Sequence, residues 1–156
     1  MKEYQSKIEH AEGRYAILAS RWNSALVDEL LKGVKTAFSA HGVAENQQQL
    51  FYAPGAYEFP VSCKALAESG KFDAIITLGA VIRGDTPHFD YVAGECASGI
   101  TRVSLDTGLP IIFGVLTVNT LEQAQDRAFT DRMNKGGEFA ETAMEMVTLM
   151  KHIRSL

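Results

Sequence analysis

The stretch "DAIITLGAVIRGDTPHFDYV", residues 73–92, holds the features that decide the fold. Its first half is a run of apolar and β-branched residues, typical of a strand that is buried on both faces of a sheet. Its second half opens with the polar loop "RGDTPH" and leads into a predicted helix that ends near Gly108. A buried strand followed by a loop and a helix is the unit from which parallel sheets are built.

The same unit recurs along the chain. Strands are predicted at four places: 14–20, 50–53, 73–82 and 110–118. Each strand precedes a predicted helix, and strands that alternate with helices indicate a parallel sheet. The sequence therefore predicts an α/β fold, a three-layer sandwich with a four-stranded parallel sheet and helices on both faces.

The helix boundaries also have sequence signals. Apolar residues recur at helical spacing from Val27 to Phe38, and Gly42 stands where a helix would end. The next helix begins near Pro60 and ends at Gly70. After the fourth strand, "TLEQ" at 120–123 predicts a capping box, and two helical segments meet near "NKGG".

The composition is that of one globular domain. With 156 residues, of which 46% are hydrophobic and 22% charged, the chain is long enough for a single core and too apolar for disorder. We predict one domain over residues 13–156. The polar, aperiodic residues 1–12 are predicted to form a flexible arm.

Charge and cysteine content exclude several classes of partner. A net charge of −4 disfavours nucleic acid, which requires clustered excess Lys and Arg. No apolar run has the length needed to cross a bilayer. Cys63 and Cys96 lack metal or redox spacing, so we expect no metal site. With no signal peptide, reduced thiols and a cytoplasmic location are predicted.

Three loops are expected to converge on the carboxyl edge of the sheet, where open α/β sheets bind ligands. These loops are residues 21–23, 54–58 and 83–88. The last loop, "RGDTPH", could direct backbone N–H groups at a phosphate, or it could be a surface loop in which Asp85 or Thr86 caps the helix. His88 follows it and could transfer protons, although a single histidine is often structural. Its position at the carboxyl edge favours function.

Other side chains at this edge suit a flat, polar ligand. Trp22, Tyr57 and Phe113 could stack on a heterocycle, or they could belong to the core, an alternative that is strongest for Phe113. Glu58 follows a Pro-Gly turn and could accept hydrogen bonds from ring N–H groups, or it could be a solvated acid at a helix start.

Several rival site types are excluded by their motifs. The segment "GECASGIT" has Ile100 where a P-loop requires lysine, and no G-x-G-x-x-G follows a strand. Neither an acidic pair after the first strand nor a nucleophile-base triad is evident. Arg127 and Lys135 flank the break between the last two helices, where either could be an ordinary surface charge.

A set of motifs resembles a known family. They are "RWN" at 21–23, "PGAYEFP" at 54–60, "GAVIRGDTPHFDYV" at 79–92, "FGVLT" at 113–117, "EQAQDRA" at 122–128 and "NKG" at 134–136. In order and spacing they closely resemble lumazine synthases over nearly the whole chain from Arg14. The resemblance implies a flavodoxin-like strand order and no cofactor. It also implies condensation of 5-amino-6-(D-ribitylamino)uracil with 3,4-dihydroxy-2-butanone 4-phosphate to 6,7-dimethyl-8-ribityllumazine, the penultimate step to riboflavin.

The resemblance also implies the roles of individual residues. His88 would transfer protons, and Asp85, Thr86 and Arg127 would hold the phosphate. The pyrimidinedione and its ribityl chain would be bound by Trp22, Asn23, Ala56, Tyr57, Glu58, Ala80, Val81, Ile82, Phe113 and Lys135. Of these residues, Phe113, Arg127 and Lys135 would come from a neighbouring subunit.

Four positions differ from the commonest family pattern. Trp22 replaces a phenylalanine, which keeps the stacking function. Asp85 replaces a small neutral residue, and its carboxylate would repel a phosphate unless it points away while the backbone N–H binds. Phe129 and Met133 stand where small residues are usual and could alter the path of the chain after Arg127.

The resemblance finally implies partners. The protein would be a homo-oligomer built from pentamers, and the absence of an insertion between Arg127 and Asn134 favours a sixty-mer. Riboflavin synthase is a further candidate partner. Two alternatives remain: a non-catalytic carrier of flavin or lumazine, and a flavodoxin-like electron carrier. The latter would require a hydroxyl-rich loop after strand one, where this chain has "SRWN".

Overall fold

A computed structural model describes residues 1–8 and 12–156. Its four strands form one parallel sheet in the order β2-β1-β3-β4, which is the flavodoxin-like order over four strands. The strands are β1 Tyr15–Ser20, β2 Gln48–Ala53, β3 Ala74–Ile82 and β4 Ile111–Val118. Tyr15 of β1 is in register with Gln48 of β2 and Ala74 of β3. The predicted α/β sandwich with a four-stranded parallel sheet is confirmed.

The predicted helices follow the strands. They are α1 Ser24–Ala40, α2 Phe59–Glu68, α3 His88–Thr107, α4 Leu121–Ala128 and α5 Lys135–Arg154, with short 3-10 helices at Glu45–Gln47 and Ala56–Glu58. Gly42 and Gly70 lie just beyond the ends of α1 and α2 with φ of 74° and 66°, a conformation that favours glycine after a helix. The predicted ends of both helices are confirmed.

The sheet separates two apolar cores. Alternate side chains of a strand point to opposite faces, so Ile76 joins the core under α1, α4 and α5, whereas its neighbour Ile75 joins the core under α2 and α3. Leu30 and Phe38 of α1 are fully buried in the first core, as Phe59 of α2 is in the second. Each such side chain contributes about 1.5–3 kcal/mol of transfer free energy. Both faces of β3 are therefore buried, as its apolar sequence predicts.

Helices α1 and α5 cross at very short range through glycine. A Cβ added to Gly136 would lie 2.0 Å from the backbone oxygen of Leu30. A Cβ on Gly33 of α1 would lie 2.4 Å from the side-chain oxygen of Asn134. This crossing fixes the N-terminus of α5 on α1.

The start of α4 differs in one detail from the predicted capping box. The Thr120 hydroxyl accepts a hydrogen bond from Gln123 N at 3.2 Å, as expected. The Gln123 side chain, however, accepts from Asn119 N at 2.8 Å, one residue before the expected donor, Thr120 N. The extended chain before the helix places Asn119 N within its reach. Both bonds still satisfy donors at the helix start.

The N-terminal segment lies beside α5 without forming a helix or strand over residues 1–8. The Tyr4 ring stacks on His152 at 3.7 Å between centroids, and the Ser6 hydroxyl donates to Glu145 at 3.1 Å. Residues 9–11 of the predicted arm lie outside the described residues, and its flexibility stays a prediction. Within the described residues, no helix combines the length and apolar character needed to cross a membrane.

Candidate active site

The carboxyl edge of the sheet holds a cavity of about 620 Å³. The loops after β1 and β2 contribute to it, together with the last residues of β3 and the first turns of α3, at the edge where a parallel sheet is expected to bind ligands. Its lining residues are Ser20, Trp22, Asn23, Ala56, Tyr57, Glu58, Ala80, Val81, Ile82, His88, Tyr91 and Val92. Nine of these were predicted from the sequence as site residues.

The loop after β1 is tied to both neighbouring strands. Trp22 N donates to Pro54 O at 3.1 Å, next to the end of β2. Asn23 adopts the left-handed conformation with φ of 58°, which asparagine tolerates, and its Nδ2 donates to Ala80 O of β3 at 2.9 Å. These bonds hold the Trp22 backbone at the cavity, while 64% of this residue stays exposed.

The loop after β2 supplies a carboxylate. Glu58 is half-buried, and its Oε2 accepts a hydrogen bond from Gly55 N at 3.0 Å. Its Oε1 makes no hydrogen bond within the described part of the chain. Ala56 is buried beside it. Glu58 is thus oriented by one oxygen, and the other is available to a ligand.

The loop after β3 carries an arginine whose guanidinium is engaged within the chain. Arg83 Nε donates to Asn119 Oδ1 at 3.0 Å, and Nη1 pairs with Asp90 Oδ1 at 3.2 Å. The same guanidinium lies 4.3 Å from the centre of the Phe89 ring. These contacts tie the loop to α3 and to the end of β4.

His88 is the first residue of α3 and is exposed at the cavity. Its backbone N donates to the Thr86 hydroxyl at 3.4 Å, but the N-cap residue is Pro87 and no side chain caps the helix there, so the predicted cap by Asp85 or Thr86 is wrong. Asp85 and Thr86 are exposed, and neither lines the cavity. The loop therefore borders the cavity, and any anion held by its backbone would lie outside the cavity wall described.

Three lining residues were not predicted from the sequence. Ser20 ends β1, and its hydroxyl donates to Trp22 O at 3.2 Å. Tyr91 and Val92 follow His88 by three and four residues, which places them on the same face of α3. This helical spacing was the available signal. Tyr91 is 69% exposed and forms part of the cavity wall.

Three other predicted residues do not line the cavity in this chain. Phe113 lies on the edge strand β4 and is 38% exposed. Arg127 Nη1 donates to Gln123 O of its own helix at 3.0 Å. Lys135 forms an ion pair with Glu138 at the start of α5. One chain alone therefore does not assemble the complete predicted set.

The two thiols belong to the core. Burial raises the pKa of both Cys63 and Cys96 to about 12, and the neighbouring Cys96 contributes to the shift of Cys63. Neither is a nucleophile near neutral pH. Over residues 1–8 and 12–156, no cluster of three or more His, Cys, Asp or Glu side chains could hold a metal ion.

The cavity combines exposed aromatic rings, one carboxylate and one imidazole. Its volume is within the range of small-molecule sites. Aromatic faces bind flat rings, the carboxylate accepts ring N–H groups, and an imidazole exchanges protons near neutral pH. The strand order and this cavity define the class: a flavodoxin-like α/β protein with a heterocycle-sized site at the carboxyl edge of its sheet.

Comparison with known proteins gives the family. A family model described as 6,7-dimethyl-8-ribityllumazine synthase matches residues 12–151. The chain belongs to this family, whose members are transferases of riboflavin biosynthesis, so the predicted family and enzyme class are confirmed. A solved structure titled "Structure of a flavodoxin from the domain Archaea" also matches, with 11% identity over 83% of this chain and 98% of that chain and a TM-score of 0.36. The fold class rests on the strand order itself.

Proposed function

We propose that the protein condenses 5-amino-6-(D-ribitylamino)uracil with 3,4-dihydroxy-2-butanone 4-phosphate to give 6,7-dimethyl-8-ribityllumazine. The observation that carries this proposal is the convergence of nine predicted residues on one cavity, from the loops after β1 and β2, the end of β3 and the start of α3. The family supports the reaction class. The proposed cellular location is the cytoplasm.

The pyrimidinedione is proposed to lie against Trp22. The indole is largely exposed at the cavity, so its face is open to a second ring. Glu58 Oε1 would accept a ring N–H, and the backbone of Ala80 to Ile82 would bind the remaining polar edge and ribityl chain, with Asn23, Ala56 and Tyr57 completing the wall. This arrangement satisfies both the flat and the polar parts of the ligand.

His88 is proposed to move protons during the condensation. The aromatic amine attacks the ketone, water leaves to form a Schiff base, and phosphate is eliminated. The second amine then closes the ring with loss of another water. Each step requires proton transfer at a positioned group, and holding two reactants in register lowers the barrier further.

The phosphate is proposed to bind at the border between two subunits. Asp85 and Thr86 of one chain would offer backbone N–H groups beside the cavity, and Arg127 of the next chain would supply the cation. Phe113 and Lys135 of that neighbouring chain would close the pyrimidinedione side. Such head-to-tail contacts can close into rings, and a pentamer is the ring that the family resemblance implies. A sixty-mer and association with riboflavin synthase are the larger assemblies proposed.

The direct test is a condensation assay that follows the absorbance of the lumazine product. The wild-type protein should form product from both substrates and none from either one. His88→Ala should be slower by about 100-fold, the lower range for loss of an acid-base group. His41→Ala is the matched control, because His41 lies away from the cavity beside Glu141 and should keep wild-type activity. Tight binding of the pyrimidinedione without turnover would support the carrier alternative and overturn the proposal.

A further inference from the structure

We infer that Gly55 is a positioning residue of this site, which sets the indole of Trp22 and the carboxylate of Glu58 against the ligand. The inference rests on the proposed function, because it assigns both groups to the pyrimidinedione. Gly55 itself is buried and does not line the cavity. Its effect on the ligand would act through its two neighbours.

The indole lies directly on the Cα of Gly55. A Cβ at this position would lie 2.3 Å from Trp22 Cε3 and 2.5 Å from Cζ3. The backbone of Trp22 is fixed nearby, since its N donates to Pro54 O at 3.1 Å. Only a residue without a side chain therefore lets the ring rest in its observed place.

The same residue holds the carboxylate. Gly55 N donates to Glu58 Oε2 at 3.0 Å, which directs the other oxygen away from this contact. A Cβ would approach Oε2 to 3.3 Å, a distance that requires only a small shift. Gly55 therefore fixes the position of the Trp22 ring relative to the Glu58 carboxylate, because it contacts both.

Space, and not backbone conformation, requires glycine here. The φ of −148° and ψ of −177° lie in the extended region open to any residue. Gly55→Ala therefore introduces no backbone strain and keeps the N–H group that donates a hydrogen bond to Glu58. The conflict falls on the indole, which is largely exposed and free to rotate away. We expect a folded variant whose aromatic face is misplaced.

Trp22 is the sole tryptophan, so fluorescence excited at a wavelength where tyrosine does not absorb reports on this indole. Gly55→Ala should shift the emission maximum and raise quenching by acrylamide, because the ring face that rests on Gly55 opens to solvent. Its KM and Kd for the pyrimidinedione should rise about 5- to 50-fold, the range for partial loss of one stacking contact. The KM for the four-carbon phosphate should stay within about twofold.

Two further variants separate positioning from a general structural defect. Phenylalanine lacks the second ring to which Cε3 and Cζ3 belong, so in a Trp22→Phe background Gly55→Ala should cost less than about threefold in pyrimidinedione affinity. Gly94→Ala is the matched control, since a Cβ there meets nothing within 4 Å, and it should leave fluorescence and both KM values unchanged. Circular dichroism and light scattering check that each variant is folded and assembled.

The outcomes distinguish this inference from the function on which it rests. Fluorescence and pyrimidinedione affinity of Gly55→Ala identical to wild type would overturn the positioning role. An equal loss in the wild-type and Trp22→Phe backgrounds would also overturn it, because the indole would then not mediate the effect. A wild-type protein without condensation activity would overturn the function alone, since the fluorescence shift does not depend on turnover.

Discussion

Arg127 is the residue on which phosphate binding is proposed to depend. In a chain of net charge −4, a dianionic phosphate requires a local cation, and the Arg83 guanidinium is already engaged by Asn119 and Asp90. Arg127 uses Nη1 on Gln123 O, which leaves other N–H donors of its guanidinium for a ligand.

We predict that Arg127→Ala loses most condensation activity, about 100-fold or more, but keeps the affinity for the pyrimidinedione. Steady-state kinetics and titration of Trp22 fluorescence measure the two effects. Arg132→Ala is the control, because this nearby arginine is paired with Asp126 and should be dispensable. Equal weakening of both substrates would show that Arg127 shapes the whole site and does not hold the phosphate.

The two thiols provide a second prediction at this scale. Cys63 and Cys96 are fully buried, and burial raises the pKa of each to about 12. At pH 8 the native protein should react with Ellman's reagent more than about 100-fold slower than free cysteine, and both thiols should react at once in denaturant. Rapid reaction of either thiol in the native state would show that the α2/α3 core opens readily.

Cavity residues could be predicted from the sequence where they lie in short polar motifs that follow the strands. Short polar stretches after apolar strands marked Trp22, Glu58 and His88, and parallel topology brought them together. Tyr91 was missed because a tyrosine within a helix gives no signal until the helix start is known. Arg127 lies outside the cavity of its own chain, and its proposed contact with the cavity of a neighbouring chain has no local pattern in one sequence.

At the scale of elements, the crossing of α1 and α5 depends on glycine. A methyl group on Gly136 would meet the Leu30 carbonyl oxygen at 2.0 Å, and backbone cannot move aside as a side chain can. Gly136→Ala should therefore reduce the free energy of unfolding by about 2–3 kcal/mol, at the upper end for overpacking. Urea denaturation measures this, with the open-space variant Gly94→Ala as control. If the free energy of unfolding fell by less than about 0.5 kcal/mol, α1 and α5 would be able to move apart and accommodate the methyl group without destabilising the fold.

The starts of β1 and β3 are joined by an ion pair. Arg14 Nη2 lies 3.0 Å from Asp73 Oδ1, and Arg14 N donates to Asp73 Oδ2 at 2.8 Å. The hydrogen bond from the Arg14 side chain is the main cause that holds the pKa of Asp73 below its usual range. A lowered carboxyl pKa stabilises the fold above the pKa of the unfolded chain, about 3.9.

This stabilisation should be lost as pH falls through the lowered pKa of Asp73. Because the pair is partly exposed, Asp73→Asn should cost only about 0.5–1 kcal/mol at pH 7. The difference from wild type should shrink below about pH 4, where the aspartate becomes protonated. Thermal denaturation at pH 7, 5 and 3.5 would measure it. A cost that stays constant across this range would assign the effect to hydrogen bonding alone.

The fold was more predictable than the site, for a physical reason. The apolar run of β3 and the spacing of α1 reflect burial, which is periodic along the chain and survives in any single sequence. The observed ends of some strands differ from the predicted ends by one or two residues. Strand β2 begins at Gln48 and not at Leu50, because its pairing with β1 extends beyond the apolar run and places Gln48 in register with Tyr15. The close approach at Gly136 was not predicted, because it depends on where two distant helices meet.

At the scale of the whole molecule, the single chain leaves its site open. Three predicted site residues lie outside the cavity of their own chain: Phe113, Arg127 and Lys135. Phe113 is partly exposed there, because it lies on the edge strand β4. A cyclic oligomer would bring these residues of one subunit to the cavity of the next. If the site is shared in this way, a chain lacking His88 and a chain lacking Arg127 should restore each other's function.

The most direct test is the activity of mixed oligomers. His88→Ala and Arg127→Ala chains, each expected to keep only about one hundredth of wild-type activity alone, are unfolded, combined in equal amounts and refolded, and native mass spectrometry confirms mixed assemblies. About a quarter of the interfaces should then pair an intact His88 with an intact Arg127, by independent assortment in a head-to-tail ring. We predict that lumazine formation returns to about a quarter of the wild-type rate per chain. Mixed oligomers that form no more lumazine than either variant alone would contradict the shared site.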